Sequence, residues 1–348
     1  YSDVIVGAYR FSDGANTAEG RAFVYHGSAT GLSASPSSTP DDANQANALF
    51  GISVACAGDV NGDGFSDVVI GASQYDDGAN TNEGRAFVYH GSAAGLSASP
   101  NSTPNDGNQA SALFGCSVAS AGDVNGDGYS DVIIGASQFD LVSSGTNFGR
   151  AFLYYGSATG LSATAFGAGF GDASQTNEGV GESVACAGDI NGDGYSDVIV
   201  GAPFYDDGVN TDEGWAFVYY GSATGLNTTP ASTPDDANQA DSRFGTCVSS
   251  AGDINGDGFS DVIIGADYFD DGANTIEGRA FVYHGSPAGL SATPINTQDD
   301  ANQAGAAFGV SVASAGDVNA DGYSDVIVGA NLYDNGETNE GVAHVYYG

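Results

Sequence analysis

Three features of the sequence predict an all-β fold. The segment Tyr1-Ser2-Asp3-Val4-Ile5-Val6-Gly7-Ala8 returns with small changes at 65, 129, 195, 259 and 323, at separations of 64, 64, 66, 64 and 64 residues. That period is near the length of a four-stranded propeller blade and longer than most helical repeats. Each period holds short β-type runs separated by turns, and no stretch sustains a helical pattern. Residue size within the period also runs in a fixed order, small, apolar, aromatic, then polar. The expected architecture is a β-propeller of four-stranded blades, with six repeat units visible, the first and last incomplete. As a single domain of residues 1–348, its units run approximately 1–49, 50–113, 114–179, 180–243, 244–307 and 308–348.

The first segment of a unit is of the type Phe50-Gly51-Ile52-Ser53-Val54-Ala55-Cys56-Ala57, rich in small residues. The second, the Asp-Val-Ile-Val type, is apolar without alternation, the mark of a strand buried on both faces. Arg21-Ala22-Phe23-Val24-Tyr25-His26 represents the third, β-branched and aromatic. The fourth is weak and falls in polar stretches such as Ser35 to Gln45, as suits a partly exposed edge strand. A radial blade requires this order: blades converge at the centre, where only small residues fit, and splay apart further out, where Phe and Tyr fill the gap.

Between the first and second segments lies Asp59-Val60-Asn61-Gly62-Asp63-Gly64-Phe65-Ser66-Asp67. Oxygen-bearing side chains stand at its positions one, three, five and nine, and the glycine at six permits a sharp turn that lets them converge. Calcium takes six to eight oxygen ligands, and the EF-hand loop opens with the same spacing. Here the last acid comes at nine and the flanks are strand-like, so the loop is not an EF-hand. The candidate ligands are the side chains at one, three, five and nine and the carbonyl at seven: Asp59, Asn61, Asp63, Phe65 and Asp67; Asp123, Asn125, Asp127, Tyr129 and Asp131; Asp189, Asn191, Asp193, Tyr195 and Asp197; Asp253, Asn255, Asp257, Phe259 and Asp261; Asp317, Asn319, Asp321, Tyr323 and Asp325. A single copy could be an acidic turn that binds nothing, but five copies keep every ligand position; Ala320 occupies a spacer. About five structural calcium ions are expected.

The chain carries 44 acidic residues, six arginines and no lysine, for a net charge of −38. Partnership with nucleic acid or an anionic membrane is disfavoured. Five calcium ions would return ten of those charges, and the composition suits a calcium-rich exterior, since weak sites stay empty in cytosol. No apolar run approaches a membrane span, and nothing in the sequence reads as a signal peptide. The absence of methionine implies that residue 1 is not a translation start. Cys56, Cys116, Cys186 and Cys247 stand at three different places before their loops, which favours free, buried, small apolar cysteines over disulfides.

The combination Phe-Gly, then Ser-Val-Ala-x-Ala-Gly-Asp-x-Asn-Gly-Asp-Gly, then Asp-Val-Ile-x-Gly-Ala, completed to Gly-Ala-Pro by Pro203, closely resembles the FG-GAP repeat of the integrin α-subunit propeller and its bacterial relatives. The resemblance spans essentially the whole chain. It implies calcium loops between the first and second strands on one face, with ligand-binding loops mostly on the opposite face. Val180 replaces one Phe, and most copies follow Gly-Ala with Ser, Tyr, Asp or Asn; neither departure touches a metal ligand.

Tyr1-Ser2-Asp3 reads as the tail of a calcium loop, and Gly348 follows a third segment, so the chain is expected to be a window of a longer protein, of six blades with trimmed ends or a larger ring. Alone, it is expected not to be a closed monomer unless more sequence or another molecule completes it. Other candidate sites are weaker. Asp76-Asp77-Gly78-Ala79-Asn80-Thr81-Asn82-Glu83, echoed around Asp206 and Asp270, could cradle a second cation or serve as an ordinary turn. Leu141-Val142-Ser143-Ser144 breaks this pattern and marks one blade as different. His26, His90 and His284 read as rim or packing residues. Trp215, which replaces the Arg of other copies, could stack on a sugar or pack at the rim.

No catalytic constellation emerges, so the chain is not expected to be an enzyme. Three functions remain open: an extracellular, secreted or cell-surface adhesion, recognition or structural module whose partner is a protein, a glycan or a copy of itself; a lectin with sugar sites between blades; or the accessory propeller of a secreted hydrolase.

Overall fold

The computed structural model describes residues 1–14, 16–105, 107–140, 147–166, 169–171, 178–206, 208–235, 238–270, 272, 274–299 and 302–348. Among these, every regular element is a β-strand, and the sheets are antiparallel. The chain forms two compact units, Tyr1–Asp123 with Asp127–Phe170, and Val124–Gly126 with Gly171–Gly348.

In the first unit, Val4–Ala8 pairs with Arg21–Tyr25; Val54–Gly58, Asp67–Ala72 and Arg85–Tyr89 form a second sheet; Phe114–Gly122, Asp131–Ala136 and Arg150–Tyr154 form a third. The second unit contains Ser183–Gly188, Asp197–Ala202 and Trp215–Tyr219; then Phe244–Gly252, Asp261–Ala266, Arg279–Tyr283 and Asn296–Gln298; then Phe308–Gly316, Asp325–Ala330 and Val342–Tyr346. The expected order of first, second and third strands holds in each complete blade. Asn296–Gln298 is a full fourth strand. Elsewhere the polar stretch touches the sheet through single bridges, such as Val24 to Ser38 and Val88 to Ser102, as Ser- and Pro-rich edges allow.

The second strands are buried on both faces, at every residue of Asp131–Ala136, Asp197–Ala202 and Asp261–Ala266. Phe50, Phe114, Phe244 and Phe308 are fully buried; Phe50 meets Phe87 edge-on at 5.2 Å, and Phe244 meets Phe281 in the same way at 5.2 Å. Val180, in the Phe place, is equally buried.

Consecutive blades within a unit meet backbone to backbone. A Cβ on Gly71 would lie 2.0 Å from the Gly115 carbonyl oxygen, and one on Gly265 would lie 1.9 Å from that of Gly309. The glycines of Phe-Gly and Gly-Ala therefore face each other across the blade junction, where no side chain fits. Inner-strand serines have a second duty besides being small: Ser53 Oγ accepts from Val118 N at 3.0 Å, and Ser183 Oγ accepts from Val248 N at 3.1 Å. Cys247 stands at the same place, and its Sγ accepts from Val312 N at 3.3 Å. Without them a backbone N–H at the junction loses its partner. Ser183→Ala is accordingly expected to cost about 1–2 kcal/mol in urea unfolding; an unchanged midpoint would show that the bond contributes nothing.

All four cysteines are free, as expected. They are not buried, however: Cys56 is exposed, and Cys116, Cys186 and Cys247 are half-buried.

Candidate metal centres

Each inner strand ends in a one-residue register slip, between Cys56 and Gly58, Cys186 and Gly188, Ser250 and Gly252, and Ser314 and Gly316. This bulge turns the strand into the nine-residue loop. In the first full loop, Asp59 Oδ1 accepts from Gly62 N at 2.7 Å and Asp63 N at 3.1 Å, and its Oδ2 accepts from Gly64 N at 2.8 Å. Asn61 Oδ1 accepts from Asp63 N at 2.9 Å, Asn61 Nδ2 donates to Asp63 Oδ2 at 3.0 Å, and Asp63 Oδ1 accepts from Phe65 N at 3.0 Å. Loop backbone N–H groups thus hold the side chains at one, three and five against the loop. The loops beginning at Asp189 and Asp253 repeat these bonds. The loop at Asp317 keeps most of them, with Ala320 taking the left-handed conformation at φ 60° where the other copies have glycine. Asp127 N and Gly128 N likewise bond Asp123.

The acid at nine is set apart from the others. Asp67 is fully buried; its Oδ2 accepts from Val60 N at 2.9 Å and its Oδ1 from Gly91 N at 2.8 Å. Asp197, Asp261 and Asp325 make the same pair of bonds. This carboxylate therefore fastens the loop to the end of its blade's third strand, a structural role the spacing alone did not reveal. Burial raises its affinity for a proton: the Asp197 carboxyl is pushed up to about 7 by desolvation, with Asp193 and Asp189 adding to the effect and the N–H groups of Gly221 and Ile190 opposing it. Asp67 and Asp261 shift the same way for the same first cause. Among the described residues, no N–H donates to the carbonyls of Phe65, Tyr129, Tyr195, Phe259 or Tyr323.

Position seven, read from sequence as a carbonyl ligand, and position eight also join neighbouring loops. Ser130 N donates to Asp59 O at 3.0 Å, and Asp59 N donates to Ser130 Oγ at 3.2 Å. Ser260 and Asp189 form the same reciprocal pair. The ring at seven lies over the glycine at four of the preceding loop, so that a Cβ on Gly62 would sit 2.6 Å from Tyr129 Cε1, and one on Gly256 equally close to Tyr323 Cε1. The signal was the Ser present at eight in every copy.

At the other end of the blades, between second and third strands, Asp76 Oδ1 accepts from Asn82 N at 2.7 Å, an ordinary turn-closing bond. A glutamine from the preceding polar stretch clamps this turn: Gln45 Nε2 donates to Asp76 O at 3.1 Å, and Asp76 N donates to Gln45 Oε1 at 2.6 Å. Gln109, Gln239 and Gln303 do the same for Asp140, Asp270 and Asp334. Trp215 stacks on Tyr205 at 4.3 Å, in the place where Arg85 lies over Tyr75 at 4.6 Å and Arg279 over Phe269 at 4.2 Å. It packs at the rim. The histidine position packs too: a Cβ on Gly95 would touch the His26 ring, and Tyr220, in the same place, accepts from Leu290 N at 2.9 Å. Leu141-Val142-Ser143-Ser144 lies outside the described residues.

Comparison with known proteins agrees with this geometry. The FG-GAP repeat family matches residues 50–89, 114–154, 181–219, 244–283 and 308–346. The chain is 34% identical to integrin alpha-V of Gallus gallus over 226 residues, covering 63% of this chain and 20% of the relative. Against integrin alpha-6 of Gallus gallus identity is 36% over 146 residues, 41% of this chain and 12% of the relative; against integrin alpha-IIb of Mus musculus it is 36% over 155 residues, 43% and 14%. The chain thus spans a fifth or less of each relative. Four matched repeats begin at the buried Phe of the inner strand and one just after Val180; each contains the nine-residue loop and ends on the third strand, and the chain belongs to the FG-GAP repeat family.

Proposed function

We propose that the chain is an extracellular, calcium-stabilised recognition or adhesion module. The observation that carries the reading is the nine-residue loop, in which backbone N–H groups hold the side chains of Asp59, Asn61 and Asp63, the fully buried Asp67 closes the loop, and among the described residues no N–H takes the Phe65 carbonyl. Each carboxylate oxygen has two lone pairs, so Asp67 can hold its two N–H donors and still ligate. Asn61 would turn its amide over, presenting Oδ1 where Nδ2 now faces Asp63. An all-oxygen set of this kind, with a buried anion at its base, suits calcium better than a soft metal.

The relationship to integrin alpha chains supports a protein ligand over a catalytic role. No helix among the described residues is long and apolar enough to cross a membrane. The Trp215 stack on Tyr205 supports packing over a sugar site there. Asp63→Ala is expected to lose one calcium ion, counted by native mass spectrometry, and to leave the other loops filled. Loss of no ion would refute the ligand assignment. Capture of extracellular-matrix proteins by the purified chain is expected to be abolished by a chelator; capture that persists without calcium would contradict the role.

A further inference from the structure

The first blade carries an acidic cluster away from the nine-residue loops. One carboxylate oxygen each of Asp13, Glu19 and Asp41 lie within 4.8 Å of one another. Glu19 is only 4% exposed, and among the described residues no donor reaches its carboxylate. Arg21 Nη2 donates to Asp13 Oδ2 at 2.7 Å and also to Asp41 Oδ2. That leaves Asp13 Oδ1, Asp41 Oδ1 and both Glu19 oxygens without a hydrogen-bond partner among the described residues. Three carboxylates against one guanidinium leave two negative charges, the charge one divalent ion cancels. A buried carboxylate with neither a donor nor a counter-ion is costly, and this one points at two further acids.

The same turn in the second blade carries less charge and gives its glutamate one donor, although Glu83 Oε1 is left without a partner among the described residues. Asn105 stands where the first blade has Asp41, and its Nδ2 donates to Asp77 Oδ2 at 2.8 Å beside Arg85. Asn80 Nδ2 donates to Glu83 Oε2 at 2.8 Å. The second blade therefore carries one acid fewer and one amide more, and its Asn80 reaches the glutamate, a bond that Asn16 does not make to Glu19 among the described residues.

We propose that Asp13, Glu19 and Asp41 form a separate site for a hard divalent cation, calcium in a calcium-rich medium. The side chains of Asp13 and Asp41 are 58% and 39% exposed, so the remaining ligands are waters and the affinity falls in the weak range of extracellular sites, roughly 0.1–1 mM. The site lies beyond the far end of strand Val4–Ala8 from Asp3, about 16 Å along the strand. It stands whether or not the nine-residue loops bind calcium.

The test is calcium calorimetry and native mass spectrometry on the whole chain and on Glu19→Gln and Asp41→Asn. Each variant is expected to lose one ion, the weak step of the isotherm, while the tighter steps stay. Asp41→Asn copies the second blade and keeps the fold should Glu19→Gln disturb it. Should the loops bind nothing, wild type would still take up one weak ion that both variants lack. If both variants bind as many ions as wild type, the site is only an acidic turn neutralised by Arg21, and the proposal is overturned.

Discussion

Chelation of calcium is expected to lower the melting temperature by roughly 20 °C, read by scanning calorimetry in EGTA against calcium at a hundred times its dissociation constant. A ligand that binds only the folded state contributes about 2.7 kcal/mol per site under those conditions. Five sites together approach the whole stability of an ordinary domain, about 5–15 kcal/mol. The structure says where the loss would be felt. Without a cation, the buried Asp67 carboxylate is left with the like charge of Asp63 acting on it. Because Ser130 and Tyr129 tie one loop to the loop before it, emptying one is expected to loosen its neighbour, so the transition broadens. A shift below about 3 °C would mean that the folded loops do not depend on the ion.

Gly265→Ala is expected to be the most damaging single substitution, costing about 3 kcal/mol or more in urea unfolding. The new Cβ would stand 1.9 Å from the carbonyl oxygen of Gly309, well inside van der Waals contact. Relief requires the blades to move apart, because the obstacle is backbone and not a side chain that can swing away. Separation would also strain the bond from Val312 N to Cys247 Sγ. Gly258→Ala is the control: it has a positive φ of 89° but open space around it, so its cost is expected to be about 1 kcal/mol. Equal costs for the two would show that close approach is not what the Gly265 position requires.

Much of the fold was legible because the chain repeats itself. The run Asp-Val-Ile-Ile-Gly-Ala without alternation announced a strand buried on both faces, and Asp131–Ala136 is one. The loop spacing announced a tight acidic turn, and in it Asp59 takes the N–H groups of Gly62, Asp63 and Gly64 while Asn61 bonds Asp63. What the sequence did not disclose were contacts whose partners sit in different blades. Ser130 meets Asp59 across 71 residues, and Gln45 meets Asp76 across 31. Nothing in local pattern or propensity specifies such pairs, since a Ser at a spacer and a Gln in a polar stretch each have many uses. Both recur in register with the loops, and recurrence was the one available hint. Trp215 was ambiguous for a related reason: an aromatic residue in an arginine's place can serve a ligand or a neighbour, and only the position of Tyr205 decides. The cysteines are less covered than their small, apolar neighbours suggested, Cys56 being exposed and the other three half-buried.

The most direct test of the account is to count and locate calcium in crystals of the whole chain, by anomalous scattering at the nine-residue loops. Five loop ions are expected, each ligated by the side chains at one, three, five and nine and the carbonyl at seven, as with Asp59, Asn61, Asp63, Asp67 and Phe65. Fewer than four loop ions at saturating calcium, or ions held without the acid at nine, would contradict it.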